Sequence, residues 1–235
     1  MIFCCGDTHG NHDILKLDKD RWHEQNNLTK EDYLIVLGDW GVIWENTPDS
    51  REANSFGYYN SKKFTTLIIN GNHDNIPRML SYPDVPMFGD TVKQISKSIF
   101  YLQNGHIYTI EGKTFFVMGG GLSVDKSDRI VGLSWWTEEM PTYATFQLGF
   151  DNLKKINNEV DYVLTHATHT SGVDWLYQQN LLIFHEKLHD PINKPLEIIR
   201  ETIEYTKWFC GHYHIDGWDA ITKTMILYHE IRKIC

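Results

Sequence analysis

The sequence predicts an α/β fold with a second sheet, and three observations carry that reading. Strand-like apolar runs alternate with helical patterns through the first 75 residues. That alternation is the mark of βαβ units and a parallel sheet. Between residues 98 and 118 the pattern changes to short runs punctuated by Gly105 and Gly112, a β-meander signal. The third observation is a set of short polar clusters, each directly behind an apolar run.

Taken in order, residues 2–5 read as a strand that stops at Gly6, and residues 11–26 as weakly helical. Residues 33–37 are rich in β-branched and aromatic side chains and close at Gly38, so they read as a strand. Residues 50–63 predict a helix with Ser50 as N-cap and Glu52 in its first turn. Residues 66–69 give another strand. Residues 77–98 hold three of the seven prolines and read as loop. Residues 98–102, 107–110 and 114–118 form the meander, with a hairpin turn at Glu111-Gly112-Lys113, and Gly119-Gly120-Gly121 ends it as a bend. Residues 122–145 read as a long loop whose Trp135 and Trp136 argue for order. A helix over 145–159 leads to a strand at 161–164. Residues 172–205 read as helical in two pieces broken near Asp190-Pro191, followed by a strand at 208–210 and a closing pair at 217–221 and 224–228. No linker or repeat interrupts the chain, so residues 1–235 are expected to form one domain.

The composition narrows the function classes. The 235 residues are 41% hydrophobic and 23% charged, ordinary for a globular protein. A net charge of −9 speaks against a general nucleic-acid-binding surface. No apolar run is long enough for a membrane span, and the N-terminus lacks the basic and apolar regions of a signal peptide. Cys4, Cys5, Cys210 and Cys235 fit no zinc spacing and no disulfide framework, which points to free thiols in a reducing, cytoplasmic setting.

The polar clusters are Gly6-Asp7-Thr8-His9-Gly10, Gly38-Asp39, Gly71-Asn72-His73-Asp74, His166 behind Tyr162-Val163-Leu164, and Gly211-His212-Tyr213-His214. Polar groups at the end of a buried strand are costly unless something binds there, and open α/β sheets take their ligands on that side. If the chain stays extended past residue 5, Asp7 and His9 point the same way, and His212 and His214 repeat the spacing. Asp7, His9, Asp39, Asn72, His166, His212 and His214 are all metal-ligating types, enough for two ions sharing one carboxylate. The remaining histidines, His12, His23, His106, His185, His189 and His229, read as ordinary hydrogen-bonded residues. His169, three residues beyond His166, could face substrate. Trp40 directly follows a candidate ligand and could line the cleft, while Trp44, Trp135 and Trp136 read as core. Arg129 and Arg78 lie in loops able to reach the site.

The ordered set Asp-x-His, Gly-Asp, Gly-Asn-His-Asp, His and Gly-His-x-His, spanning residues 6 to 214, resembles the calcineurin-like metallophosphoesterase superfamily. The resemblance implies a metallo-dependent phosphatase fold, a four-layer sandwich of two facing mixed β-sheets flanked by helices. It implies phosphoester hydrolysis by a hydroxide bridging two metal ions. Asp7, His9 and His214 would hold the first ion, Asn72, His166 and His212 the second, and Asp39 would bridge them. His73 would protonate the leaving oxygen, and Asp74 would orient His73. A site of mixed nitrogen and oxygen donors accepts Mn2+, the first choice, and also Fe, Zn2+, Ni2+, Co2+ or Mg2+.

The chain departs from the superfamily's protein Ser/Thr phosphatases. Those carry Asp-Arg-Gly after the Gly-Asp motif and Glu after Gly-Asn-His; here Trp40-Gly41 and Asp74 stand there. Without that arginine, and with aromatic residues near the metals, the sequence leans to a phosphodiester or nucleotide substrate. The alternatives are a phosphomonoesterase and a non-catalytic binding module on the same fold.

Overall fold

The structure is a computed structural model that describes residues 1–182 and 190–235. His185 and His189 lie outside the described residues. The first sheet holds β1 (Ile2–Cys5), β2 (Tyr33–Leu37), β3 (Thr65–Ile69), β4 (Asp84–Met87), β5 (Asp90–Ser96), β6 (Ile99–Tyr101) and β13 (Ile231–Lys233), in the order β13-β1-β2-β3-β6-β5-β4. β1, β2, β3 and β6 are parallel, β13 and β5 run against them, and β4, antiparallel to β5, runs with them again. The second sheet holds β7 (Ile107–Ile110), β8 (Lys113–Met118), β9 (Glu159–Thr165), β10 (Glu204–Cys210), β11 (Gly217–Asp219) and β12 (Thr224–Ile226), in the order β11-β12-β10-β9-β8-β7. Its inner strands are parallel and its two outer strands antiparallel, so both sheets are mixed.

Period-two alternation explains the layering. Ile2 and Cys4, Ile35 and Leu37, and Leu67 and Ile69 face the second sheet, where Phe115, Val117, Tyr162, Leu164 and Phe209 meet them in one shared core. The intervening residues Phe3, Cys5, Leu34, Val36 and Ile68 point outward. They pack under α1 (Ser50–Ser61) and α2 (Ile76–Ser81), which contribute Tyr59 and Met79. On the other side Phe116, Met118, Val163, Trp208 and Cys210 lie under α3 (Tyr143–Lys155), α4 (Thr170–Gln178) and α5 (Asn193–Thr202). Both faces of each sheet are buried, which is why the strands read as continuous apolar runs. The result is the helix–sheet–sheet–helix sandwich that the resemblance implied. The four cysteines are free thiols, and no helix of the described residues is long and apolar enough to cross a membrane.

Several elements differ from the sequence expectation. Residues 77–98 are not a loop but hold α2, β4 and β5. Pro77 sits in the first turn of α2, where a missing N–H costs nothing, and Asn75 caps the helix by accepting from Arg78 N at 3.2 Å. Pro86 lies in β4, the last strand of its sheet, where proline is tolerated. The N-cap of α1 is Asp49, which accepts from Glu52 N, rather than Ser50. Residues 11–26 contain two short 3-10 turns, at Ile14–Leu17 and His23–Asn27, instead of a helix. β13 is additional; it pairs with the free edge of β1. Glu111 and Gly112 form the expected two-residue hairpin turn, both at positive φ.

Candidate metal centre

Asp7 follows β1, Asp39 follows β2, Asn72–Asp74 follow β3, His166 follows β9, and His212 and His214 follow β10. The parallel strands of both sheets thus deliver their C-terminal ends to one place. The chain does not arrive there extended, as the period-two argument supposed. His9, Asp39, His212 and His214 all have positive φ, between 42° and 70°. Non-glycine residues seldom adopt this left-handed conformation, and it concentrates at functional sites. Thr8 N and His9 N both donate to Asp39 O, at 3.0 and 2.9 Å, so a tight turn aims His9. Two glycines permit the crowding. A side chain at Gly71 would run into Asp39, and one at Gly38, itself at φ +85°, would strike the His166 ring.

The seven candidate ligands meet in one cluster. Asp7, His9 and His214 bring ligating atoms within 4.8 Å of one another, as do His9, Asp39 and His73. His214 Nε2 is 3.2 Å from Asp7 Oδ2. The two oxygens of Asp39 face different ways, Oδ2 lying 3.3 Å from His9 Nε2 and Oδ1 3.3 Å from His166 Nε2. His166 Nε2 also lies 3.1 Å from Asn72 Oδ1 and 3.1 Å from His212 Nδ1.

The donor set fits cations. His166 Nδ1 is 2.7 Å from the carbonyl of Leu37, which can only accept, so Nδ1 carries the proton. In the neutral ring Nε2 then presents a lone pair to Asn72 Oδ1 and Asp39 Oδ1, both of which are also acceptors. The arrangement is repulsive unless a positive charge sits among them. His9 repeats it: Nδ1 is 2.6 Å from Asp13 Oδ2, leaving Nε2 toward Asp39. A carboxylate or carbonyl on the remote nitrogen is the usual support of a ligating histidine.

The ionisation pattern states the same demand. Burial pushes the carboxyl pKa values up, but His214 and His166 hold Asp7 below its ordinary value, and His166 and His73 hold Asp39 well below it. Against burial, which disfavours the imidazolium, Asp39 and its neighbouring carboxylates raise His9 and His166 to about 9. The carboxylates stay ionised and the cluster retains positive charge, as protons or as metal ions.

The other expected site residues divide. His73 stands at the cleft, with its backbone N–H donating to Asp39 Oδ1 at 2.7 Å and its ring stacked on Trp44. Arg129 reaches it, with Nη2 3.1 Å from both ring nitrogens and 2.8 Å from Asp125 Oδ2. Asp74 does not orient His73. Its buried carboxylate accepts from Gly41 N and Gly71 N, both at 2.8 Å, and so ties the loop after β2 to the loop after β3. Trp40 does not line the cleft. It is fully buried, stacked on Phe56 and edge-on to Tyr59, because the left-handed turn at Asp39 sends the next side chain into the outer core. Trp44 takes the cleft position instead. His169 does not face substrate either. It is buried at the start of α4, with Nδ1 accepting from Gly172 N and Nε2 2.9 Å from Thr224 Oγ1. Arg78 is tied to Glu52. His12, His23 and His229 are exposed, and His106 pairs with Asp90. Asp13 is the site residue that sequence reasoning missed; its place four residues after His9 was the available signal.

A cleft of about 570 Å³ opens over the cluster, bounded by His9, His73 and His214 on its floor and by Trp44, Tyr228 and Arg51 on its sides.

Two facing mixed sheets thus carry, at their strand ends, a carboxylate–imidazole cluster able to hold metal ions. The family model for calcineurin-like phosphoesterase matches residues 1–216, and the chain belongs to that family. Its reaction class is therefore metal-dependent hydrolysis of phosphoesters. No curated protein matches the chain significantly.

Proposed function

We propose that residues 1–235, as one domain, hydrolyse a phosphomonoester at a pair of divalent ions. The observation that carries the metal reading is the His166 ring, whose Nε2 converges with Asn72 Oδ1, Asp39 Oδ1 and His212 Nδ1 on one point. Asp7, His9 and His214 would hold one ion, Asn72, His166 and His212 the other, and Asp39, with an oxygen toward each group, would serve both. Mn2+ is the first choice; Fe, Zn2+, Ni2+, Co2+ or Mg2+ are alternatives for a site with both nitrogen and oxygen donors. When bound, such ions supply a water-derived nucleophile at neutral pH and offset charge on the phosphoryl oxygens.

The chain's own groups do the rest. The His73 ring lines the cleft, against Trp44 and Arg129. Burial and the nearby Arg129 lower its pKa, with Asp39 opposing them, so the free ring is neutral at neutral pH. An arriving phosphate dianion favours uptake of a proton from solvent by the ring, and that proton would pass to the leaving oxygen. Arg129 supports the monoester reading. Its guanidinium lies beside His73, where it would pair with the third non-bridging oxygen and second negative charge that a monoester has and a diester lacks. A phosphodiester or nucleotide is the second reading, supported by the aromatic faces of Trp44 and Tyr228 along the cleft.

The test is hydrolysis of p-nitrophenyl phosphate and bis(p-nitrophenyl) phosphate by protein stripped with chelator and reloaded with Mn2+. Activity should require the metal and favour the monoester. His73→Ala should lose roughly 10²–10⁴-fold in kcat while keeping its metal. Undiminished turnover in stripped protein, or in His73→Ala, would overturn the assignment.

A further inference from the structure

The segment between β8 and α3 leaves the sandwich, carries Arg129, and returns. Two buried side chains join its ends. Ser123 Oγ donates to Glu139 Oε2 at 2.5 Å, and Ser123 N donates to Glu139 Oε1 at 3.4 Å. Each residue is only 1% exposed. A buried carboxylate is a costly way to close a loop that an apolar contact would close as well.

The same Ser123 Oγ lies 3.3 Å from Nδ2 of Asn72. A hydroxyl has one proton. Given to Glu139 at 2.5 Å, it is withheld from both Asn72 acceptors, the side-chain Oδ1 and the backbone carbonyl 3.5 Å from Ser123 Oγ. Ser123 therefore offers Asn72 lone pairs only, and the NH2 end of the amide must face it. Oδ1 is thereby turned the other way, toward His166 Nε2. Asn72 needs such control just as His9 and His166 need theirs from Asp13 and the Leu37 carbonyl. Either oxygen of a carboxylate can ligate, but a flipped amide offers a cation hydrogens instead of an oxygen.

We propose that Ser123 and Glu139 are positioning residues that set the amide of Asn72 so that its carbonyl oxygen is presented to the ion held with His166 and His212. This rests on the reading of Asn72 as a ligand. The pair also closes the neck of the loop that bears Arg129, so one hydrogen-bonded unit sets both a metal ligand and the arginine beside His73.

The full chain, stripped of metal, is titrated with Mn2+ by calorimetry, and the Tm of the stripped protein is measured alongside. Ser123→Ala should weaken one of the two sites about 10–100-fold. Ser123→Thr, which keeps the hydroxyl, should restore it. Glu139→Gln, whose NH2 can donate to Ser123 and free the hydroxyl proton for Asn72, should weaken the same site less. A merely structural clasp would lower the Tm of stripped protein and leave the Mn2+ isotherm alone. A wild-type isotherm for Ser123→Ala overturns the inference whatever its Tm. Asn72→Ala separates the two levels. If it too binds Mn2+ like wild type, the ligand assignment fails; if it loses a site while Ser123→Ala does not, only the positioning role fails.

Discussion

Arg129 lies against His73, with one guanidinium nitrogen 3.1 Å from both nitrogens of the imidazole. Equal distances place that nitrogen over the ring rather than at one edge. Asp125 holds the guanidinium from outside, and Trp44 lies 5.7 Å from its centre. A fixed cation beside an imidazole at the mouth of a carboxylate–imidazole cluster is a ready anion site. No arginine follows Gly38-Asp39 in this chain, but a different segment delivers one.

Arg129→Ala should therefore reduce kcat/KM for p-nitrophenyl phosphate by about 10²-fold, the usual cost of removing one donor to developing phosphoryl charge. The diester should lose less. Arg129→Lys should recover only part of the loss, because an ammonium cannot reproduce the planar fork. Equal losses on both substrates would mean that Arg129 acts through the loop and not on the phosphate.

Asp13 stands one step behind the candidate ligands. Its carboxylate, 2.6 Å from His9 Nδ1, fixes the proton there and turns Nε2 toward Asp39 and Asp7. Asp13→Ala should weaken the His9 site about 10–100-fold and leave the His166 site unaltered. Calorimetric titration with Mn2+ resolves the two. Asp13→Asn tests the cause, since an amide oxygen can still accept from Nδ1 while the charge is gone.

The path from sequence to site was uneven for physical reasons. The parallel strands were legible because both of their faces are buried, so each is an unbroken apolar run closed by a glycine or a polar ligand. The candidate ligands could be picked out because each sits just past such a run. Residues 77–98 were not, since prolines signal loop unless the N-terminal turn of α2 and the sheet edge are already known. Trp40 and Trp44 lie four residues apart in an irregular segment, and nothing local tells which one turns inward; the positive φ of Asp39 decides it. Asp74 read as a partner of His73 because it is adjacent, yet its bonds run to Gly41 and Gly71. Ser123 and Glu139 are 16 residues apart in a loop without periodicity, so only the folded chain shows them touching.

Away from the metals, Glu197 should govern part of the acid stability. Burial alone would raise its pKa, but His169, Arg200 and Ser171 outweigh burial and hold it far below the ordinary carboxylate range. Arg200 Nη2 is 2.6 Å and Ser171 Oγ 2.7 Å from Oε1. A depressed carboxylate contributes stability that is complete above its unfolded pKa of about 4.3 and is lost as the pH falls toward the folded value. Glu197→Gln should thus lower the Tm at neutral pH, and the gap to wild type should close below about pH 4. A gap that is constant with pH would assign the loss to packing instead.

The two tryptophans give the sharpest contrast between fold and function. Trp40 is wholly buried against Phe56 and Tyr59, and Trp44 is half-buried in the cleft, stacked on His73. Trp40→Ala should cost about 3–5 kcal/mol of stability through lost burial and the cavity left behind. The surviving folded protein should keep its kcat, because the Trp40 ring packs on Phe56 and Tyr59 in the outer core and does not line the cleft. Trp44→Ala should do the reverse. It removes one face of the His73 ring and a support of Arg129, so kcat should fall while the denaturant midpoint moves little. Urea unfolding and steady-state kinetics on both variants check this. A kcat loss in folded Trp40→Ala as large as that in Trp44→Ala would mean that Trp40 holds the Asp39 turn from beneath, and that core and site are energetically one unit.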